Sequence, residues 1–150
     1  MSEYDTDFVL WSREQADLLR RMGAGERLND QVDWDNVAEE IASLGKSDRR
    51  DLGSRIQTTL THLIKLSISP ASQPRSGWKR TVIEQRSQIG RLLSDSPSLR
   101  AQVPDAIAEE LSDARKLALL DLAEFAEQPA DDPDNLIFSK DQVLGPWLPD

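Results

Sequence analysis

Residues 47–68 read SDRRDLGSRIQTTLTHLIKLSI. Leu52, Ile56, Leu60, Leu63 and Ile64 recur at steps of four, four, three and one, which lays them on one stripe of an α-helix. A strand would alternate apolar and polar residues every second position, and this stretch does not. The spacing therefore predicts a long amphipathic helix. Just upstream, residues 33–45 carry Val37, Ile41 and Leu44 on one face, with Asp33 as a cap. The two stripes are roughly in phase across Gly45. A glycine inside a helix costs only about 1 kcal/mol against alanine, so one long helix and two helices divided at Gly45 both fit the pattern.

Working outward, residues 6–22 place Phe8, Trp11, Leu18, Leu19 and Met22 at helical spacing, with Thr6 or Asp5 available as a cap, and Gly23 and Gly25 close the run. Residues 76–94 form the next helix, capped by Ser76, with Trp78, Val82, Ile83, Ile89, Leu92 and Leu93 as its apolar face. SPSL at 96–99 opens a short helical turn. Pro104 suits the first turn of a last long helix through Ile107, Leu111, Ala114, Ala118, Leu119 and Leu122, ending near Gln128. From about residue 129 the chain becomes an acidic, mostly irregular tail. There Ser139 caps one turn, SKDQVL, and Phe138, Val143 and Trp147 pin the tail to the body. No run reads as a strand. The expected fold is all-α, an up-and-down bundle of about four main helices forming one domain over residues 1–150.

A chain of 150 residues buries about 70% of the surface its unfolded form exposes, enough to fold without disulfide or metal. It has no cysteine, which removes disulfides, thiolate zinc sites and thiol nucleophiles. The N-terminus, MSEYDTDFVLWSREQ, lacks the basic-then-apolar order of a signal peptide. No apolar run approaches the roughly 20 residues a membrane span needs. The expected setting is soluble and cytoplasmic, away from membranes.

The net charge of −9 hides a strong segregation. Residues 1–45 hold 4 basic and 11 acidic residues, residues 46–91 hold 10 and 3, and residues 92–150 hold 4 and 13. The stretch 75–91, RSGWKRTVIEQRSQIGR, alone carries five basic residues against one acidic. Either the positive middle packs against acidic neighbours, or it stays open to an anionic partner. The acidic whole argues against nonspecific nucleic-acid binding.

Candidate chemistry is sparse. His62 is the only histidine, and Arg55 precedes it by seven residues, two helical turns, so both can lie on one flank of a helix. An arginine that steadies a phosphate beside an imidazole that moves a proton could cleave a phosphodiester. The spacing lies within the range seen in helical HEPN-type ribonucleases, although Ile56 stands where those enzymes usually have a polar residue. The alternative is a histidine hydrogen-bonded within or beside the core. Glu39, Glu40, Glu84, Glu109 and Glu110 are carboxylates on three helices; they could hold magnesium or pair with the basic middle. A ferritin-like di-iron site needs Glu-x-x-His on two helices, and one histidine preceded by Thr59 rules it out. Lys79, Arg80, Arg86 and Arg91 could grip phosphates with Trp78 stacked on a base. Equally, Trp78 shares the phase of Val82 and Ile89, and Arg80 and Glu84 can pair along one helix. No phosphate loop, nucleotide fingerprint or Ser-His-Asp order is present, so neither cofactor nor metal is expected.

Several stretches in order, DFVLWSREQADLLR, DWDNVAEEIASLGKSDRRDLGSR, HLIKL and QPRSGWKRTVIEQRSQIGRLLSDSPSLR, resemble the bacterial domain-of-unknown-function family 29 along nearly the whole chain. The resemblance implies a stand-alone helical domain and no particular reaction. The family's shared pattern falls on Glu40, Arg55, His62, Lys65, Glu84 and Arg86 among other positions. Folding explains these polar residues less readily than the apolar ones, and together they would make a buried polar network or a site. The favoured expectation is a protein-interaction or self-association module, not an enzyme. The alternatives are an RNA-cleaving domain using Arg55 and His62, and a nucleic-acid-binding domain without chemistry.

Overall fold

The computed structural model describes residues 2–150. The chain is all-α, and no strand occurs among the described residues. Six helices follow one another: α1 Glu3–Thr6, α2 Phe8–Gly23, α3 Trp34–Ile68, α4 Arg75–Asp95, α5 Val103–Glu124 and α6 Lys140–Leu144, with 3-10 turns at Pro97–Gln102 and Pro133–Asn135. Four of the six are long, as the apolar spacing predicts. Helix α3 runs through Gly45 without a break, so the in-phase stripes on either side belong to one helix. The chain divides into two compact units, Met1–Ser47 and Asp48–Asp150.

In the first unit the cap is Asp7, not Thr6 or Asp5. Its carboxylate accepts the Leu10 N–H at 2.9 Å and starts α2, because residues 3–6 already form the separate turn α1. Arg20 and Arg21 lie in the last turn of α2, where cations offset the helix dipole. Trp11, Val32 and Val37 form its buried cluster, with Tyr4, Leu18 and Met22 packed on them. Tyr4 stands edge-on to Trp11, with ring centroids 4.8 Å apart. Asp33 begins α3, accepting from Trp11 Nε1 at 3.1 Å and Asn36 Nδ2 at 2.9 Å. Donation from Asn36, then from Trp11, holds its carboxyl below the usual range despite the desolvation that opposes it. The apolar face expected of residues 33–45 is only partly used. Val37 is buried, while Ile41 and Leu44 are exposed, as are Phe8 and Leu19 on α2. A small unit with one buried tryptophan has too little interior for all of them.

The second unit holds the main core. Leu52, Ile56, Leu60, Leu63 and Ile64 are fully buried, joined by Val82, Ile89 and Leu93 from α4 and by Ala106, Ile107, Ala114, Ala118 and Leu122 from α5. Each large side chain contributes roughly 1.5–3 kcal/mol by leaving water. Thr59 and Thr61 are buried among them; their hydroxyls donate to the carbonyls of Arg55 and Gln57 one turn back, both at 2.8 Å. Ile83 and Leu119, expected on core faces, are exposed: each sits one position off the buried stripe of its helix.

Helix α4 starts at Arg75, one residue before Ser76. The Pro74 carbonyl already accepts the Trp78 N–H at 3.1 Å, and a proline cap leaves no N–H of its own unpaired. Helix α5 ends at Glu124, short of Gln128. Ala126 adopts a left-handed φ of 55°, and the Glu127 N–H closes on the Leu122 carbonyl at 2.9 Å. The reversal lets the Ala130 N–H donate to the Ile68 carbonyl at 2.7 Å, which satisfies the end of α3. The tail docks as expected through Phe138 and Val143, both buried, and Ser139 caps α6 with Gln142 in a reciprocal capping box. Trp147 leans on Phe138, centroids 6.3 Å apart, but stays partly exposed.

Candidate functional site

Several cations of the basic middle meet carboxylates and carbonyls of the second unit. Arg86 is the clearest case. Its Nε donates to the Val143 carbonyl at 2.8 Å, and its Nη2 donates to the carbonyls of Gln142 at 2.7 Å and Trp147 at 2.6 Å. One guanidinium therefore fastens α6 and the turn after it. Burial pushes its pKa down from the ordinary arginine value. Arg75 donates to the Leu66 carbonyl near the end of α3 and to the Asp150 carbonyl, each at 2.7 Å. Arg49 pairs with Glu109 of α5 at 2.9 Å. Arg80 pairs with Glu84 along α4 at 3.0 Å on the exposed surface, where such a pair contributes little. Lys79 and Arg91 have no charged partner among the described residues.

Arg55 and His62 both stand on α3, two turns apart, which is about 10.5 Å of helical rise. Arg55 pairs with Asp51 at 3.2 Å and reaches Gln85 Oε1 at 3.5 Å. His62 Nδ1 lies 2.9 Å from the Thr58 carbonyl, and a carbonyl only accepts, so this nitrogen carries the proton and donates. Desolvation, chiefly, lowers the pKa of His62; the Thr58 bond and Asp121 oppose the shift, and Lys65 adds to it. A neutral imidazole with a free Nε2 could accept a proton, but the arginine nearest in sequence is already bound to a carboxylate.

Within the second unit Arg55, His62, Lys65, Glu84 and Arg86 each hydrogen-bond to different partners and not to one another. Glu40, in the first unit, accepts a hydrogen bond from the Tyr4 hydroxyl, which raises the Tyr4 pKa. Glu109 meets Arg49 and Glu110 meets Gln57, at 2.9 and 3.1 Å. No group of three or more metal-ligating side chains could hold an ion among the described residues.

Lys65 and Trp78 do come together. The Lys65 side chain is only 8% exposed; its ammonium donates to Asp121 Oδ2 at 3.0 Å and lies 4.9 Å from the centre of the Trp78 ring. The pair forms one wall of a cavity of about 470 Å³ between the end of α3, the start of α4 and the end of α5. Pro74, Leu122 and Phe125 supply apolar lining, and Asp121 and Glu127 supply carboxylates. Glu127 Oε2 accepts from the Ser69 hydroxyl at 2.8 Å. Lys65 and Trp78 are both named from the sequence; Asp121, Phe125 and Glu127 are not. The missed signal is positional: a lysine on the buried stripe beside Leu66 needs a counter-charge, and α5 offers carboxylates from Asp105 to Glu124.

The stretches that carry the resemblance thus lie on α2, α3 and α4 and the turn after α4. The family model for the domain of unknown function DUF29 matches residues 3–148. The chain belongs to the DUF29 family. No curated protein and no solved structure matches it. No helix of the described DUF29 chain is long and apolar enough to cross a membrane.

Proposed function

We propose that this DUF29 chain is an interaction module that binds a protein partner at the cavity beside Lys65 and Trp78, and does not cleave or grip nucleic acid. One observation carries the proposal. Arg49, Arg55, Lys65, Arg75 and Arg86 of the middle segment are turned toward the chain's own carboxylates and carbonyls, while an apolar cavity of binding-site size is left open, with Phe125 74% exposed at its edge. Ligand sites are commonly concavities of this kind, mainly apolar with a few convergent polar groups. An exposed aromatic beside such a concavity is the residue type enriched in interface hot spots. We further infer that the chain acts as one domain in the cytosol, in keeping with the unbroken α3 and the absence of cysteine.

The test is gentle affinity capture of the tagged chain from its native host, wild type beside Phe125→Ala, with the eluate read by mass spectrometry and by its 260/280 nm ratio after a high-salt wash. The expected result is a defined protein, or a second copy of the chain, that survives salt and is lost in the variant. A salt-labile nucleic-acid signal retained by Phe125→Ala would instead support the cleavage or nucleic-acid reading.

A further inference from the structure

The cavity's charge layout indicates what it takes. Its one cation, Lys65, is already engaged: the ammonium is shared between Asp121 Oδ2 and the Trp78 face. What remains unsatisfied is acceptor capacity. The Asp121 side chain is 43% exposed with its second oxygen free, and Glu127 uses only one oxygen, for Ser69. One ammonium against two carboxylates leaves the lining at −1, within a chain of net charge −9. An anion entering here would meet two carboxylates and a lysine already neutralised. A cation would meet free acceptors, and Phe125 offers an unoccupied ring to stack on.

We infer that the cavity takes a basic side chain of a partner protein, an arginine flanked by apolar residues. This inference rests on the interaction reading above and names the partner's chemistry. A guanidinium is planar, presents paired donors that fit a carboxylate, and stacks on aromatic rings, so it suits the free acceptors of Asp121 and Glu127 and the exposed ring of Phe125. Its stem and apolar neighbours cover Pro74 and Leu122. The acidic chain draws a basic partner in from a distance.

The test uses the full chain and an acetylated, amidated Leu-Arg-Leu tripeptide, with citrulline and glutamate counterparts as probes. Binding is read by NMR at the Trp78 indole N–H, assigned with Trp78→Phe. The arginine peptide should give a saturable shift, the citrulline peptide should bind about tenfold more weakly, equivalent to ~1.4 kcal/mol, and the glutamate peptide should not bind. Glu127→Gln keeps an acceptor for Ser69 and should weaken the arginine peptide severalfold. Phe125→Ala, at an exposed ring, should do the same without affecting folding. Preference for the glutamate peptide, or no saturable response to the arginine peptide, overturns the inference. A silent arginine peptide alongside a partner that Phe125→Ala loses would remove only the ligand chemistry; failure of both would remove the interaction reading as well.

Discussion

Replacing Arg86 tests whether the basic middle holds the fold together. Arg86→Ala removes three charge-assisted hydrogen bonds, at 2.8, 2.7 and 2.6 Å, to the carbonyls of Val143, Gln142 and Trp147. Two are partly shielded and one is exposed. A sheltered hydrogen bond to a charged group contributes about 1.5–3 kcal/mol, and the exposed one close to nothing, so non-additive loss of the set should cost about 3 kcal/mol. Arg86→Lys keeps the charge but cannot fork; it should retain one of the three contacts and cost about 1.5 kcal/mol. Urea unfolding followed by tryptophan fluorescence measures both, and amide exchange at Val143 should speed up in each variant as α6 loosens. An alanine variant within about 0.5 kcal/mol of wild type, the scatter of ordinary surface changes, would refute the reasoning. So would a lysine variant as stable as the arginine.

Three further outcomes follow from the same contacts. Asp121→Asn leaves the buried Lys65 ammonium without its counter-charge and should cost about 2 kcal/mol, below the cost at fully buried pairs because Asp121 is half exposed, whereas Lys65→Met should stay within about 1 kcal/mol of wild type; urea midpoints decide. Gly45→Ala adds a methyl group that meets nothing within 4 Å in an unbroken helix, so it should raise stability by up to about 1 kcal/mol in thermal melts, and a loss would argue for a break at Gly45. The folded pKa of His62 lies below its unfolded value, so the unfolded chain binds the proton more readily: the contribution is present above the unfolded pKa near 6.5 and is lost as pH falls from there toward the folded pKa. His62→Gln should therefore flatten the stability–pH curve in that window relative to wild type, and an unchanged slope would contradict the burial assigned to His62.

Periodicity made the large elements legible because a 3.6-residue pattern sustained along a 22-residue stretch leaves few alternatives. The Leu52–Ile64 stripe is wholly buried, as its spacing predicts. The same logic overreached at Ile41, Leu44, Ile83 and Leu119: spacing gives a face its direction but not the amount of partner surface available to cover it. Helix ends depended on atoms that sequence does not rank. Asp7 outcompetes Thr6 because α1 intervenes, and Ala126 turns left-handed where no glycine marks the stop. At the candidate site, Lys65 was readable as a polar residue that folding explains less readily, and Trp78 as an aromatic on the apolar face of its helix with a possible stacking role. Asp121 and Glu127 lie more than fifty residues away on another helix and beyond its end, and only the fold brings them to Lys65 and Ser69.

The central proposal is that the positive middle of the chain, with Arg49, Arg55, Lys65, Arg75 and Arg86 engaged within the fold and Lys79 and Arg91 left open, does not bind nucleic acid. Fluorescence anisotropy of a labelled single-stranded RNA, titrated with the chain at about 50 mM and 200 mM salt, tests it across the range where phosphate contacts respond most steeply. The account predicts no saturable rise at either salt concentration. Saturable binding at the lower salt that collapses at the higher, and that weakens in Lys79→Ala or Arg91→Ala, would contradict it.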